Sequence, residues 1–382
     1  MSNIHCPMIH GGLNINLKSS GKRYASDLDG IVTYNPCCLS TTPHTASETD
    51  IIDWYDEKLV DHRINNDNNQ WLPGCWQCET LEKTGTKSFR KSMIEKFGVH
   101  KDLTGPQRID LLFDRSCNLA CRTCGPHSST LWEKHMKINN LPIEYDIPTL
   151  DSFFRVKKSL QSLNLENVGM IQFCGGETLL GNTYWQTTEW LSQNVPDAKN
   201  KLELGFQTNG TQSIDPKWFD VIEKFKLVKL MISIDGIGDK FEYLRWPANW
   251  NQTVDNIMTL RETLPGNVMF FVQECTSCLN LYHFGEVSNW VSKNFATNRE
   301  GDPVGHNTQF ATHNYLHANN ITQEYVDALA DKSMSTIIDK SWQENPDNIR
   351  QFIRETEKFD VIRGEDWKKV FPEVAEFYKR YI

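Results

Sequence analysis

The sequence lacks several features that would place it in a specialised class. It has no run of the eighteen or so apolar residues that a membrane-spanning helix needs, and residues 1–12 have neither the basic start nor the apolar core of a signal peptide. It lacks a basic excess, since 40 Lys and Arg residues face 49 Asp and Glu residues, for a net charge of −9. A broad electrostatic surface for nucleic acid is therefore not expected. We expect a cytoplasmic globular protein without a membrane or nucleic-acid partner.

An even cysteine count, as a framework of intramolecular disulfides would need, is also absent. The chain has 11 cysteines in 382 residues, which is many for a reducing compartment. Bound metal explains this number better than disulfides do. Internal repeats and low-complexity segments are lacking as well, so the chain has room for two or three ordinary domains.

Three cysteines follow directly after an apolar run, at Cys117, Cys121 and Cys124. Thiolates this close in sequence converge on one metal site. With no fourth cysteine nearby, they would hold three irons of a 4Fe-4S cube and leave one iron open to a ligand. A structural zinc site with His127 as fourth ligand is the alternative, but the spacing favours the cluster.

The N-terminal segment is rich in Gly, Asn, Pro and Thr. It has strand-like runs at 13–17 and 31–34 and little helical periodicity before Glu82. Such a segment buries little apolar surface, so we expect bound metal to stabilise it. Spacing alone leaves zinc and an iron-sulfur cluster open. The candidate ligands are Cys6, Cys37 or its neighbour Cys38, Cys75 and Cys78.

From residue 107 the hydrophobic pattern changes to short apolar runs separated by polar stretches of helical length. This pattern is typical of a parallel βαβ sheet. The predicted strands are 108–113, 168–173, 202–207, 226–234, 268–273 and a weaker one at 308–310. The predicted helices between and after them are 128–138, 151–163, 183–193, 216–224, 253–263 and 281–293. Six such units with right-handed crossovers predict an α/β fold, a partial (β/α)6 TIM-like barrel.

Ligand-type residues follow the first four predicted strands, at the ends where such folds bind ligands. The three-cysteine loop follows the first strand, and a glycine pair with a carboxylate follows the second. Gly-Gly-Glu or Thr-Asn-Gly alone is typical of an ordinary turn, and Arg245 alone of a solvated surface charge; their recurrence along one rim favours a shared site. Beyond the cysteines, the candidates are Gly175, Gly176, Glu177, Asn209, Ser233, Asp235 and Arg245.

The Cys-x3-Cys-x2-Cys run and these strand-end motifs resemble the radical S-adenosylmethionine (radical SAM) enzymes. The resemblance covers about residues 107–310, more than half of the chain. It implies that Cys117, Cys121 and Cys124 hold a catalytic 4Fe-4S cluster whose open iron binds S-adenosylmethionine. Reductive cleavage would give a 5′-deoxyadenosyl radical that abstracts a hydrogen atom from a substrate, with the electron supplied by a donor such as a flavodoxin or ferredoxin.

The same resemblance implies roles for the remaining candidates. Gly175, Gly176 and Glu177 would engage the methionine amino group. Ser233 and Asp235 would lie near the ribose or the methionine carboxylate. Arg245 would pair with that carboxylate, and Asn209 is a looser assignment. Thr123 departs from the family, in which an aromatic residue often precedes the third cysteine.

The N-terminal cysteines, with Asp29-Gly30 and a Glu82-x2-Gly85-x2-Ser88-x-Arg90 tail, resemble SPASM/twitch modules. This implies an auxiliary 4Fe-4S cluster held by Cys6, Cys37, Cys75 and Cys78, with Cys38 as the alternative to Cys37. Such modules usually follow the radical SAM core, whereas this one precedes it. Enzymes with such modules often act on peptides, so we predict a peptide or protein substrate. One alternative is a small metabolite as the substrate. Another is a binding protein without catalysis that is stabilised by zinc.

We predict three regions: the module at 1–105, the radical SAM core at 106–320 and a helical extension at 321–382. Helices are expected at 321–339 and 366–381, with a break at Asn345-Pro346-Asp347 and an aromatic face that packs on the core. The remaining thiols Cys174, Cys275 and Cys278 are expected to be structural, and His313 and His317 to lie in the core or on the surface.

Overall fold

The structure is a computed structural model, and it describes residues 5–16, 31–40, 44–47, 50–83, 85, 87–101, 103–143, 152–298, 301, 303–311, 314–331 and 342–382. The Asp29-Gly30 motif and His313 lie outside these residues. No helix among the described residues is long and apolar enough to cross a membrane.

The described residues form one nine-stranded sheet. Its strands are β1 (Gly12–Asn16), β2 (Ile31–Asn35), β3 (His44–Ser47), β4 (Arg108–Leu112), β5 (Met170–Cys174), β6 (Glu203–Thr208), β7 (Leu227–Ser233), β8 (Val268–Thr276) and β9 (Gly305–Phe310). The strand order is β3-β2-β1-β4-β5-β6-β7-β8-β9, and β4 to β9 are parallel. All six predicted core strands are present, and the predicted α/β class with an open parallel sheet is confirmed.

The α-helices are α1 (Pro7–Gly11), α2 (Ile51–Asp53), α3 (Val60–Asp67), α4 (Trp76–Lys83), α5 (Phe89–Phe97), α6 (Thr130–Ile138), α7 (Ser152–Gln161), α8 (Thr183–Asn194), α9 (Ala198–Lys201), α10 (Phe219–Ile222), α11 (Asp239–Leu244), α12 (Trp250–Thr263), α13 (Phe284–Asn294), α14 (Gln323–Asp331), α15 (Pro346–Arg363), α16 (Trp367–Val370) and α17 (Pro372–Phe377). A π-helical turn spans Trp54–Lys58, and 3₁₀ turns span Pro73–Cys75, Pro216–Trp218, Leu281–His283 and Asn314–Leu316.

The alternation of side chains along β4 determines what each face of the sheet carries. Ile109 and Leu111 are fully buried in the largest apolar cluster, which packs the strands against helices such as α7, α8, α12 and α13. Arg108 and Asp110 point to the opposite face, where Arg108 Nε donates to Asp110 Oδ1 at 2.8 Å. The helix-covered face is therefore apolar, and the inner face is polar.

The N-terminal segment is more helical than its sequence suggests. The prediction of little helix before Glu82 was wrong, because α2, the π-helical turn and α3 run almost continuously from Ile51 to Asp67. Strand β1 pairs in parallel with β4, so this segment extends the sheet of the core. Strand β2 then pairs antiparallel with β1, and β3 with β2.

The C-terminal region differs from its prediction at Pro346. This residue starts an 18-residue helix, α15, where we predicted a break. Proline fits the first turn of a helix, where its missing N–H is not needed. Asn345 Oδ1 caps the helix by accepting from Asp347 N at 3.1 Å and Asn348 N at 3.2 Å.

The two helices predicted near the C-terminus differ in outcome. Helix α14 covers Gln323–Asp331 of the first, and residues 332–339 of that prediction lie outside the described residues. The predicted helix 366–381 is divided into α16 and α17 at Phe371, before Pro372. The predicted aromatic packing is confirmed, since Trp367, Phe371 and Tyr378 are fully buried in one apolar cluster with Phe352 of α15.

Replacement of Phe352 by Ala should destabilise the C-terminal cluster, because Phe352 is 0% exposed there. A deleted buried Phe side chain leaves a cavity, so we expect the free energy of unfolding to fall by about 3–5 kcal/mol. Val361→Ala on the same helix is the control, since Val361 is 84% exposed; its effect should stay within about 0.5 kcal/mol. Anaerobic denaturant unfolding measures both, and equal effects would contradict this packing.

Candidate functional site

The loop that carries the three cysteines is held on one side by helix α6. Ser129 Oγ donates to Leu119 O at 2.5 Å and accepts from Trp132 N at 3.2 Å, so this residue both caps the helix and fixes the loop. Trp132 Nε1 donates to Cys121 O at 2.8 Å. The backbone of the loop is therefore fixed by protein contacts alone.

On its other side the loop pairs with the segment after α11. Ala120 N donates to Trp246 O, and Arg122 N donates to Leu244 O, each at 2.7 Å. These two bonds bring Arg245, which lies between Leu244 and Trp246, next to the cysteine loop. A position of Arg245 near the site is expected from the sequence, but no local pattern in the sequence indicates this contact.

Arg122, which the sequence analysis did not single out, anchors the loop in the protein interior. Its guanidinium is fully buried over the Tyr243 ring, at 4.1 Å from the ring centre. It donates to Asp360 Oδ1 at 2.6 Å and also to Glu365. Two carboxylates from the C-terminal region therefore neutralise a cation that belongs to the cysteine loop.

Arg363, at the end of α15, makes a second link between these regions. Its Nη2 donates to Ala120 O at 2.9 Å, and its guanidinium lies 4.8 Å from the ring centres of both Trp132 and Trp246. Burial and the neighbouring Arg122 cation lower the pKa of Arg363 to about 10. The contacts of Arg122 and Arg363 thus hold the cysteine loop against helix α15 and the segment that follows it.

The sulfurs of Cys117, Cys121 and Cys124 are spaced more widely than a single metal ion requires. Among the described residues, no three cysteine sulfurs, with or without His127, lie within 4.8 Å of one another. A tetrahedral zinc with thiolate ligands needs sulfurs about 3.8 Å apart. Wider spacing suits a multi-iron cluster, so these residues fit the 4Fe-4S group better than zinc.

Burial raises the pKa of the Cys117 thiol to about 11 and that of Cys121 to about 12. The thiols are therefore neutral near pH 7 when no metal is bound. Because the ligands are thiolates, loading metal at this loop must release protons.

The glycine pair after β5 lets two loops approach closely. Gly175 and Gly176 have φ values of +96° and +23°, and a Cβ at Gly176 would lie 2.4 Å from Ser116 O. The next residue, Glu177, donates its backbone N–H to the same Ser116 oxygen at 2.7 Å. Glycine is needed here so that the Gly-Gly-Glu segment can lie against the start of the cysteine loop.

The Glu177 side chain is fully buried and joins two strand-end loops. Its Oε1 accepts from Thr208 Oγ1 at 2.6 Å and from Leu179 N at 3.0 Å, and its Oε2 accepts from Asn209 N at 2.6 Å. Burial raises the pKa of Glu177, and these hydrogen bonds oppose that rise. With both oxygens occupied, the carboxylate positions the two loops.

Asn209 links the cysteine loop to the loop after β6. Its Nδ2 donates to Asn118 Oδ1 at 3.0 Å, and its Oδ1 accepts from Thr211 Oγ1 at 2.6 Å. Asn118 Nδ2 donates back to Thr211 Oγ1 at 2.8 Å. Asn209 therefore lies beside the cysteine loop, and its amide is already used between protein groups.

Asp235 and Arg245 form a buried ion pair beside Cys121. Arg245 Nη2 lies 3.0 and 2.9 Å from the two Asp235 carboxylate oxygens, and Cys275 N donates to Asp235 Oδ1 at 2.8 Å. Arg245 Nη1 is 3.9 Å from Cys121 Sγ. The buried Nε of Arg245 has no hydrogen-bond partner among the described residues. This donor fits an anionic ligand group bound next to the cysteine loop.

Ser233 lies two residues before Asp235, at the end of β7.

Cys275 and Cys278 are close in sequence but have different surroundings. The Cys275 thiol is hydrogen-bonded to the Thr123 side chain, next to the cysteine loop. Cys278 is fully buried in the C-terminal apolar cluster. The expected structural role suits Cys278, whereas Cys275 lies at the candidate site.

The four predicted N-terminal ligands line one cavity: Cys6, Cys37, Cys75 and Cys78. The rest of the lining is mainly apolar, with Met8, Ile9, Leu72 and Phe89 among it. Cys38 lies elsewhere, near Asp110, Arg108 and Cys174 on the inner face of the sheet. Of the two adjacent cysteines, Cys37 is therefore the one grouped with the other three.

The tail motif after Cys78 closes this cavity. Arg90 Nε donates to Glu82 Oε1 at 2.8 Å, and Ser88 Oγ donates to the same oxygen at 2.5 Å. Arg90 Nη1 donates to His5 O at 2.7 Å, directly before Cys6. Burial raises the pKa of the Cys6 thiol to about 12. A metal group here would be held in a dry cavity braced by a buried ion pair.

Solved structures similar to this chain include native anSMEcpe with bound AdoMet and Cp18Cys peptide, at 17% identity and a TM-score of 0.38, covering 67% of this chain and 61% of that chain. Streptococcus suis SuiB bound to S-adenosylmethionine is another, at 12% identity and a TM-score of 0.36, covering 84% and 65%. The chain thus covers less than two thirds of these structures. A comparison with curated protein sequences gives no match.

The family comparison gives one match, to the model of the Radical SAM superfamily, over residues 111–273. The match begins in β4 and ends in β8, so it includes the three-cysteine loop and the strand ends described above. Over residues 111–273, this chain is therefore similar to the Radical SAM superfamily.

Proposed function

We propose that this protein is a radical SAM enzyme that acts on a peptide or protein. The observation that carries the proposal is the position of Arg245, whose unpartnered buried Nε lies beside Cys121 in a rim built from four strand ends. Such a donor is costly to bury without an acceptor. An anionic ligand at the cysteine loop would supply that acceptor.

Cys117, Cys121 and Cys124 would hold the 4Fe-4S cluster. When the protein binds both the reduced cluster and S-adenosylmethionine, they would supply a 5′-deoxyadenosyl radical that abstracts a hydrogen atom from the substrate. The chain's part is to orient these groups and to keep water away from them. The buried loop contacts of Ser129 and Trp132 serve that purpose.

The S-adenosylmethionine contacts divide between backbone and side chains. The Gly175-Gly176-Glu177 backbone would engage the methionine amino group, since the Glu177 carboxylate is already occupied. Arg245 would bind the methionine carboxylate through its Nε, since its Nη2 is paired with Asp235.

Ser233 and Asp235 would lie near the ribose or the methionine carboxylate. Asn209 would orient the cysteine loop through Asn118.

A second 4Fe-4S cluster held by Cys6, Cys37, Cys75 and Cys78 is part of the proposal. These four thiols share one cavity, and no three of them lie within the 4.8 Å that would mark a single-ion site. A zinc ion in this cavity is the alternative.

The peptide preference rests on the resemblance of this module to SPASM/twitch modules. A small metabolite is the alternative. The electron would come from a flavodoxin or a ferredoxin.

Replacement of Cys117, Cys121 and Cys124 together by Ala should abolish 5′-deoxyadenosine formation, because no thiolate remains at the loop. Chromatography of anaerobic, dithionite-reduced reactions measures the product. Cys278→Ala, which removes a buried thiol outside both cysteine sets, is the control and should keep the activity. Unchanged product in the triple variant would refute the proposal.

Glu177→Gln should weaken S-adenosylmethionine binding by about 10–100-fold. The glutamine amide replaces one carboxylate oxygen by an NH₂ donor, which then faces Asn209 N or Thr208 Oγ1. Loss of a hydrogen bond to a charged group costs about 1.5–3 kcal/mol. Equilibrium binding to the reconstituted protein measures the Kd. Glu189→Gln on the exposed face of α8 is the matched control. An unchanged Kd for Glu177→Gln would mean that these loops do not shape the binding site.

Iron analysis of the reconstituted protein should give about eight irons per chain for the wild type. Cys75→Ala with Cys78→Ala should leave about four, and the electron paramagnetic resonance signal of the remaining cluster should still shift when S-adenosylmethionine is added. Four irons in both proteins would restrict the chain to one cluster. Zinc in place of iron would favour a non-catalytic binding protein.

A further inference from the structure

Three side chains of the N-terminal region that belong to neither cysteine set meet at one point: His5, His10 and Asp67. Their ligand atoms all lie within 4.8 Å of one another, and they are the one such group of His, Cys, Asp or Glu among the described residues. His5 Nδ1 and His10 Nε2 are each 3.5 Å from Asp67 Oδ1. We call these residues the His-Asp set.

These separations match the geometry of a zinc site. Zinc binds His nitrogen and carboxylate oxygen at about 2.0–2.2 Å in a tetrahedron, so neighbouring ligand atoms are about 3.3–3.5 Å apart. The same distances are long for a direct hydrogen bond between imidazole and carboxylate. The His-Asp set is therefore spaced to surround an ion.

His10 supplies an independent observation. The residue is only 3% exposed, and neither of its ring nitrogens has a hydrogen-bond partner among the described residues. A buried polar group without a partner costs free energy, so such groups are rare in folded proteins. A metal ion bound to Nε2 would satisfy the nitrogen that faces Asp67.

Arg63 and Lys101, both near His10, oppose a bound cation, and Lys101 also contacts Asp67. The Lys101 Nζ lies 2.7 Å from Asp67 Oδ1, the oxygen that both histidines face. The Lys101 side chain is 46% exposed, so it can turn into solvent when an ion takes its place. Lys101 and the ion therefore compete for one carboxylate, and removal of Lys101 should strengthen metal binding.

The His-Asp set also joins the two elements that frame the auxiliary cavity. His5 precedes Cys6, His10 belongs to α1, and Asp67 ends α3. Asn66, next to Asp67, accepts a hydrogen bond from Cys6 N at 2.8 Å. An ion here would connect α1 to α3 beside Cys6 without using any thiol.

We propose that His5, His10 and Asp67 bind one divalent cation of the zinc type, with its fourth position open to water. The donor set of two imidazoles and one carboxylate is one that zinc accepts, and zinc also occurs with three protein ligands and an open fourth position. The site is separate from both cysteine sets and does not depend on radical chemistry.

The test uses anaerobic holoprotein with its iron-sulfur sites fully reconstituted, so that the cysteines do not compete for zinc. After equilibration with Zn²⁺ and desalting, the wild type should retain about one zinc per chain. His5→Ala and Asp67→Asn should each weaken zinc binding by at least about 100-fold, with unchanged iron content as the check on folding. His100→Ala, an exposed histidine of the same region, is the matched control and should bind zinc as the wild type does.

Two further measurements decide the identity of the ligands. Lys101→Met should bind zinc about 10-fold more tightly, because the competing cation is gone; unchanged affinity would overturn the role of Asp67. Zinc X-ray absorption should show only nitrogen and oxygen neighbours. A sulfur shell, retention of zinc by the His5 and Asp67 variants, or no zinc in the wild type would each overturn the proposal, whether or not S-adenosylmethionine is cleaved.

Discussion

The parallel register of β4 to β8 is the constraint on which the candidate site depends. Because these strands run in one direction and pair in sequence order, their carboxyl ends lie along one edge of the sheet. The cysteine loop, the Gly-Gly-Glu segment, the Asn209 loop and Asp235 each follow one of those ends. Hydrogen bonds between neighbouring loops, such as Glu177 to Asn209 N, then fix the rim. A change of register in one strand would separate groups that no local contact could bring back.

The elements around the rim were largely predictable from sequence, and the supports behind them were not. Hydrophobic runs of strand length gave all six core strands, and turn-type residues after them gave the site candidates. Nothing local distinguished Arg122 or Arg363 from surface cations, since their partners lie in other elements. Helix α15 was missed because Pro346 was taken for a break, although proline at the first helical position is common.

The C-terminal region contributes charge as well as apolar packing. Asp360 accepts from Arg122, from the Tyr243 hydroxyl at 2.8 Å and from Trp367 N at 2.7 Å, so its carboxylate joins the cysteine loop, α11 and α16. Burying ions in this way is expensive, because the paired charges lose their hydration. The same contacts impose one geometry on the loop, because a charge displaced from this network would be left without a partner in the protein interior.

The span of the Arg122 contacts along the chain has a consequence for biogenesis. Arg122 is separated by 238 residues from Asp360 and by 243 from Glu365, so the cysteine loop obtains these two anchors only when residues 360–365 have been made. Domains that form early contacts can fold during translation, whereas contacts of such high sequence separation form late. The loop therefore reaches its final conformation only after Asp360 and Glu365 have been synthesised.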